Sequence, residues 1–427
     1  MSAADTTVRV GRELRDICGP GNVAEDSADL QRRSVSGVTP GVAVTPASPE
    51  EVAAVLRLAN EHGLRVVPAG GLTQQQAGNV PGAIDLLLDT SALREVEHYD
   101  AADLTIGIGA GWTVAQLTDK VAKEGLLFAG DAALPQRATV GGLLATGLAG
   151  PLRHGYGGLR DYCIGIRFVT GDGRKGKGGG RVVKNVAGFD LMKLLIGSWG
   201  TLAVITGASF KLFPAPRQTR TLVARFGNAA EAIGFRDHVL RSPFSPISLE
   251  LISPGAIEPE KAAWAVYLRA AGSDAVLSRY RSELGSAISQ EMEGQDENAV
   301  WRRIADFGYD RQSPGVVISL SLPLTEILPA INRITAMCDA AGVTFVAVGR
   351  IGIGHLLVRL TPRAGASSDL AMALSTFRDQ LSHDASVSVL SSGHAELWRS
   401  PTHSESMRAV KRALDPKGIL NPGRFRF

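Results

Sequence analysis

The sequence predicts an α+β fold in two domains, and three observations carry that prediction. At 427 residues the chain is longer than one ordinary hydrophobic core organises. Its second half alternates helix-like and strand-like pieces in α+β order, over a length that suits a separate domain. Between the halves, Pro214 and Pro216 punctuate the end of an apolar strand and place a boundary at about 217. The composition is that of a soluble globular protein, 44% hydrophobic and 20% charged. Glycine stands out: of 49 residues, 18 fall between Gly130 and Gly200, so backbone there is expected to approach something closely.

Other totals exclude classes. A formal net charge of +3 is too small to point to nucleic acid or membrane lipid. Cys18, Cys163 and Cys338 lie far apart. They supply neither the four thiolates of an iron–sulfur cluster nor a disulfide framework, and a reducing intracellular compartment is expected. The polar start, Met1 to Asp16, lacks the apolar core of a secretory signal. The apolar run Val140 to Leu152 is too short to span a bilayer, so no direct membrane insertion is expected.

Residues 1–33 are polar with one short helix-like patch, and order is expected from Val42. Ser48-Pro49-Glu50-Glu51 opens a helix, with Ser48 as cap, Pro49 in the first helical position and Glu51 as capping-box partner. Val52, Val55, Leu56 and Ala59 form its apolar face, and Gly63 stops it. Strands follow at Leu64 to Val67, Ile84 to Leu88 and Leu104 to Ile108, then a helix capped by Thr113 and Gln116 and closed by Gly125. Beyond the glycine-dense zone come a strand from Gly165 to Thr170, a helix from Asp190 to Ile196 and a strand from Thr201 to Phe213. In the second half, strands are expected at 247–252, 264–268, 316–320, 343–348, 355–360 and 387–390, and helices at 229–240, 326–341 and 370–381. No short-period repeat is visible.

Two nucleotide patterns occur and neither holds. Gly171-Asp172-Gly173-Arg174-Lys175-Gly176 matches G-x-G-x-x-G, but Lys177-Gly178-Gly179-Gly180 cannot open the helix that motif requires. Read as a P-loop through Lys177, the run places Gly178 where a hydroxyl should bind magnesium. A flexible, basic hairpin tip is the better reading. More informative is Pro68 to Gln74, a loop after a strand with paired glycines and a hydroxyl at Thr73, in which successive amides form an anion-binding concavity. Taken alone it is equally an ordinary turn. Pro135 to Gly142, continuing to Pro151, is rich in small residues that let a flat or charged ligand lie against main chain, or else let backbone elements pack tightly.

Three further blocks follow in order: Arg153 to Asp161, Lys184 to Asp190 and Ile196 to Thr206. Together these five blocks resemble the FAD-binding domain of the vanillyl-alcohol oxidase/p-cresol methylhydroxylase (PCMH-type) superfamily. The run KNVAGFDLMKLLIGSWGTLAVIT is similar to the FAD-binding E subunits of glycolate oxidases. The resemblance covers about 34–217, and a weaker one continues to the C-terminus. It implies an extension over 1–33, a two-subdomain PCMH-type FAD-binding domain over 34–217, an α+β cap domain with an antiparallel sheet over 218–412, and a tail, 413–427, returning to the FAD domain.

The resemblance also assigns residues. Pro68, Ala69, Gly70, Gly71, Leu72, Thr73 and Gln74 would hold the FAD pyrophosphate. Pro135, Thr139, Gly141 and Gly142, with Ala145, Thr146, Gly147 and Gly150, would line the flavin and its ribityl chain. Val204 and Ile205 would meet the adenine through main chain, and Asn421, in Asp415 to Arg424, is a cofactor or substrate-site candidate. Arg160 with Asp161 reads as a structural pair somewhat more readily than as a flavin contact, and Lys184 as either a charge near the flavin or a solvated side chain. With Leu72 and Gln74 where some relatives carry a flavin-linking histidine, the FAD is expected to be non-covalent.

Catalysis is less legible. The family's H-x-G-x-G-N-x-H run corresponds here to Arg350-Ile351-Gly352-Ile353-Gly354-His355-Leu356-Leu357, with Arg350, His355 and Leu357 in place of its His, Asn and His. No metal is expected, and His355 reads more readily as a satisfied strand residue than as a general base. Arg350 and Arg399 are candidates to clamp a substrate carboxylate. The resemblance implies a small 2-hydroxy acid substrate and, as partners, a second flavin subunit and an iron–sulfur subunit, in the cytoplasm or at the inner face of the membrane through those partners. A self-sufficient FAD oxidase of a sugar, aldonolactone or other alcohol, and an assembly subunit without catalysis, are the rival readings.

Overall fold

In this computed structural model, residues 3–181, 190–309, 315–363, 370–391 and 405–424 are described. The chain forms two compact units: Met1–Ala149, Gly158–Pro214 and Arg399–Phe427 make the first, and Gly150–Gly157 and Ala215–Trp398 the second.

The first unit holds two principal sheets. One runs Val23–Ala24, Val42–Val44, Leu86–Asp89, Val66–Ala69 in spatial order, its last three strands parallel. Parallel strands need a crossover, and the helix Pro49–His62 supplies it. Ser48 Oγ accepts from the Glu51 amide at 3.1 Å, and left-handed Gly63 (φ 66°) ends the helix. Glu51 reaches back to the Ala47 amide (2.8 Å), one residue beyond the expected box partner. Val52, Val55, Leu56 and Ala59 are buried against Val42, Val44, Val66, Leu86 and Leu88. The second sheet is antiparallel, in the order Val96–Asp100, Thr105–Gly109, Ala203–Lys211, Cys163–Thr170, Lys175–Gly179.

Two expectations change in this unit. Residues 1–33 are no mere polar extension: the helix Ala3–Cys18 sends Val10, Leu14 and Cys18 into the core shared with Pro49–His62. The 171–174 turn does close a hairpin, but it is not a free tip. The Gly171 amide donates to Leu414 O (2.8 Å), and a Cβ at left-handed Gly173 would overlap Arg57 and crowd the Ala53 carbonyl. Glycine is required there because protein backbone crosses closely.

The second unit is one eight-stranded antiparallel sheet: Ile288–Met292, Gln218–Phe226, Trp264–Gly272, Ser248–Ile252, Val343–Arg350, His355–Pro362, Val316–Ser321, Ser386–Ser391. In chain order each half runs strand, helix, strand, strand, helix, strand, the split β-α-β arrangement. The halves join through their second strands, with Glu250 opposite Arg350. Side chains alternate by face. Leu249, Leu251, Val266, Leu268, Ile318, Leu320, Leu356 and Val358 pack in one core with the helices 229–241, 274–284, 327–341 and 370–379. Ser248, Glu250, Ser319, Arg350 and His355, all buried polar residues, alternate with that set and take the other face.

Candidate functional site

An open groove lies in the first unit. Strand Val66–Ala69 delivers its first wall: Pro68, Ala69, Gly70, Gly71, Leu72, Thr73, Gln74 and Gln75 all line it, over Thr90. Among the described residues, the amides of Gly70, Gly71, Thr73 and Gln74 have no protein acceptor. Unsatisfied amides in a loop of this kind present an anion site. The neighbouring helix Val140–Thr146 does not add to it. Its first amides are already used, Val140 to Trp112 O (2.8 Å), Gly141 to Ala110 O (2.9 Å) and Gly142 to Thr139 Oγ1 (3.2 Å). That helix instead lines the groove with Thr139, Gly141, Gly142, Ala145 and Thr146, and the opposite side is Trp199, Gly200, Ala203, Val204 and Ile205.

Three non-glycine residues in the left-handed region line this groove: Leu72 (φ 54°), Trp199 (φ 55°) and Asn421 (φ 46°). Each such conformation costs about 1–3 kcal/mol and persists only where its surroundings enforce it, commonly at binding sites. Asn421 is buried; its Nδ2 donates to Trp199 O (2.9 Å), while its Oδ1 has no hydrogen-bond partner among the described residues. A dinucleotide fits this donor set. The free loop amides suit a diphosphate, small residues at Gly142 and Ala145 leave room for a flat group, and Asn421 Oδ1 offers one acceptor. Neither histidine nor cysteine is among the lining residues described.

The glycines that line the groove are for the most part also fixed by protein packing behind them. A Cβ at Gly70 would overlap Thr139, one at Gly71 the Arg137 carbonyl, and one at Gly141 would come to 2.8 Å from Ala110 Cβ. They are glycine so that the two loops can interlock. Only Gly142 differs, since its Cβ would meet nothing but Thr139 Oγ1, at 3.2 Å.

Other expected residues fall away from the groove. Pro135 accepts the Ala115 amide through its carbonyl (3.0 Å). Gly147, left-handed, ends Val140–Thr146 and packs on Gly197. Gly150 belongs to the second unit. Arg160 donates to Ile196 O (2.8 Å) and Asp161 accepts the Gly158 amide (2.7 Å), so these two make separate backbone contacts rather than the expected pair. Lys184 and Arg399 lie outside the described residues. Missed by the sequence reading were Gln75, Thr90, Trp199, Gly200, Ala203 and Arg424; Trp199, Gly200, Ala203 and Arg424 stood inside motif blocks whose other positions drew the assignments.

In the second unit, Arg350 and His355 come together at the closed end of the central hairpin. Arg350 Nη1 lies 2.8 Å from His355 Nδ1, and His355 Nε2 lies 2.9 Å from Ser319 Oγ. An arginine only donates, so Nδ1 accepts and the ring proton sits on Nε2, donated to Ser319. Burial, then the charges of Arg350 and Arg153, hold His355 well below the ordinary histidine value. Arg350 Nε also lies 3.7 Å from Glu250 Oε1, and both side chains are buried. Burial pushes the Tyr309 phenol up to about 12, against the opposing charge of Arg350. His154, which packs over Gly352, is lowered by burial. Among the described residues no three His, Cys, Asp or Glu side chains cluster as a metal site.

These histidines have a measurable consequence. Both are depressed in the fold, so the unfolded chain binds their protons first and stability falls as pH drops below about 6.5. Denaturant midpoints are expected to be flat above that pH and to decline below it, by at most about 1.4 kcal/mol per pH unit for each histidine. His355→Gln should reduce that slope, and an unchanged slope would show that His355 titrates normally.

Two family models match the chain, one described as FAD binding domain over residues 40–175 and one as FAD linked oxidases, C-terminal domain, over 215–425. D-lactate dehydrogenase of Archaeoglobus fulgidus is 30% identical, covering 90% of this chain and 90% of that protein. Glycolate oxidase subunit GlcD of Bacillus subtilis is 25% identical over 98% and 97% of the two. D-2-hydroxyglutarate dehydrogenase of Xanthomonas citri pv. viticola is 27% identical over 89% and 88%. The structure of p-cresol methylhydroxylase with substrate bound superposes with a TM-score of 0.77 at 16% identity, over 99% of this chain and 97% of that one, which shows a shared fold.

Proposed function

Because the chain belongs to the FAD-linked oxidase family and takes FAD as its cofactor, we propose that it is the FAD-binding subunit of a glycolate-type 2-hydroxy acid oxidase or dehydrogenase complex, passing electrons from substrate to partner subunits. The observation that carries this reading is the groove, lined by amides at Gly70, Gly71, Thr73 and Gln74 and by Asn421 Oδ1, none of which has a hydrogen-bond partner among the described residues.

Oxidising a 2-hydroxy acid to the 2-oxo acid removes two electrons and two protons, and FAD, when bound, supplies the acceptor for the electron pair and one proton as hydride. The chain's own residues would bind and orient: the loop amides would hold the diphosphate, in a groove that Ala145 and Thr146 also line. The hydroxyl proton needs a base. His355 is a poor one, because its Nδ1 lone pair is engaged by Arg350 and its protonation is opposed by burial. That supports a flavin that works with other subunits. So do the three buried, separated cysteines, too few for a cluster ligand set. The partners would be a second flavin subunit and an iron–sulfur subunit. Among the described residues no helix is long and apolar enough to cross a membrane, and the complex would work in the cytoplasm or at the inner membrane face through those partners.

A second reading, a self-contained D-2-hydroxy acid dehydrogenase, is favoured by the 30% identity with the A. fulgidus D-lactate dehydrogenase across nine-tenths of both chains. One experiment separates them. The purified chain is expected to show flavin absorbance, to release all of it on acid precipitation, and to bleach anaerobically with glycolate or D-lactate only when the partner subunits are present. Bleaching by the chain alone would favour the second reading. A chain that stays colourless after incubation with FAD would defeat both.

A further inference from the structure

We propose that Arg424 is a positioning residue for the cofactor diphosphate: its guanidinium, carried in by the segment Asp415–Arg424, fixes the far end of the phosphate loop so that the loop's free amides are already arranged for the anion. The inference rests on the FAD reading above and adds to it a determinant of cofactor retention that lies 349 residues from the loop it serves.

The loop needs such a support. Between the strands Val66–Ala69 and Leu86–Asp89, residues 70–85 contain no helix or strand. Ordering a free loop of that length at the moment of binding would weaken affinity, and holding it beforehand restores it. Its own support is slight, Ala77 N donating to Gln74 O at 3.2 Å. Ser36 Oγ also donates to Gln75 O (3.0 Å) and Arg137 Nη2 to Gly71 O (3.2 Å), and Arg424 adds three contacts more. Nη1 donates to Gln75 Oε1 (2.6 Å), and Nη2 to the carbonyls of Gln75 (2.7 Å) and Ala77 (2.6 Å). The loop answers in kind: the Asn79 amide donates to Arg424 O (2.8 Å) and Asn79 Nδ2 to Gly423 O (3.2 Å). All these tail bonds fall on residues 75–79, leaving the amides of Gly70, Gly71, Thr73 and Gln74 to the groove.

What holds Arg424 is equally explicit. Buried Asp415 accepts from Lys411 Nζ (2.6 Å) and from the amides of Ile419 (3.0 Å) and Leu420 (2.9 Å), turning the chain back after the helix Glu405–Leu414. The returning segment adds to the sheet edge, Val66 N to Ile419 O (2.8 Å) and Asn421 N to Val66 O (2.9 Å). Asn421 then ties it to Trp199 on the other side of the groove. A planar two-nitrogen fork reaching three oxygens is something lysine cannot reproduce.

The test uses apo-protein titrated with FAD, ADP and riboflavin. Arg424→Gln is expected to weaken FAD and ADP by about tenfold or more, a change of roughly one decade in Kd, and to leave riboflavin, which has no diphosphate, unchanged. Arg424→Lys should fall between. In the wild-type chain, ADP should slow hydrogen exchange at 419–424 as well as at 70–77. FAD affinity within twofold of wild type in the variant, an equal loss for riboflavin, or tail amides indifferent to ADP would each overturn the inference while leaving the FAD reading intact. A wild-type chain that binds neither FAD nor ADP would overturn both.

Discussion

Replacing Arg350 with alanine is expected to lower the unfolding free energy of the second unit by about 3–5 kcal/mol, the usual cost of removing one member of a buried charge pair. Arg350 is 5% exposed and faces Glu250, which is fully buried, across the seam where the two halves of the eight-stranded sheet meet. The same guanidinium donates to His355 Nδ1 at 2.8 Å. Alanine would therefore withdraw the counter-charge from a buried carboxylate and the donor from a buried imidazole together. Replacing both partners with apolar groups, Arg350→Met with Glu250→Leu, is expected to recover much of the loss, because no isolated charge then remains. Denaturant unfolding followed through Trp264 and Trp301, which lie in this unit, measures it. A midpoint for Arg350→Ala equal to wild type would mean that Glu250 is carried neutral, and that the pair does not hold the seam.

Such a seam was not readable beforehand. The two halves of the second unit share an order of elements but no sequence period, because what repeats is alternation: one face of each strand apolar, the other free to vary. Where apolar and β-branched residues run nearly unbroken, as at Val343–Arg350 and His355–Pro362, the strands are legible. Ile288–Met292 was missed because it pairs on one side only, and its exposed Ser289 and Gln290 give no apolar signal. The first helix reads in the sequence only as a short helix-like patch, for a similar reason. Val10, Leu14 and Cys18 recur every four residues, but the arginines and acids between them dominate the reading of that stretch as polar.

Local chemistry was more legible than its partners. A loop with paired glycines and a threonine after a strand announces an anion-binding turn, and the small residues from Pro135 to Gly142 announce a close approach. Neither says who approaches. For Gly71 the neighbour is the Arg137 carbonyl, which only the fold brings near. Arg424 shows the same limit from the other side, for its acceptors are the carbonyls of Gln75 and Ala77, and main-chain oxygen leaves no mark on a sequence.

This distinction makes Gly71 and Gly142 behave differently on substitution. Gly71→Ala is expected both to destabilise the apo-protein, by about 1–3 kcal/mol as an overpacked site does, and to cost at least about tenfold in FAD affinity. Its backbone is not left-handed, so alanine has no conformational objection; the obstacle is that the new methyl overlaps the Arg137 carbonyl. That carbonyl cannot retreat cheaply. The Arg137 and Ala138 amides are both bonded to Leu134 O (2.9 and 2.8 Å), and Ala138 O accepts from Val114, so the 134–138 turn is fixed to the next helix. The methyl must instead push the phosphate loop outward, displacing the Thr73 and Gln74 amides from their places. Gly142→Ala meets only Thr139 Oγ1, at 3.2 Å, a contact that a shift of a few tenths of an ångström relieves, so the apo-protein should melt close to wild type. Its methyl would enter the groove itself, and any loss would then appear in FAD affinity alone. Thermal unfolding of the two apo variants beside their FAD titrations thus separates glycine kept for the protein from glycine kept for the ligand. Equal melting losses for both would mean that Gly142, too, answers to packing.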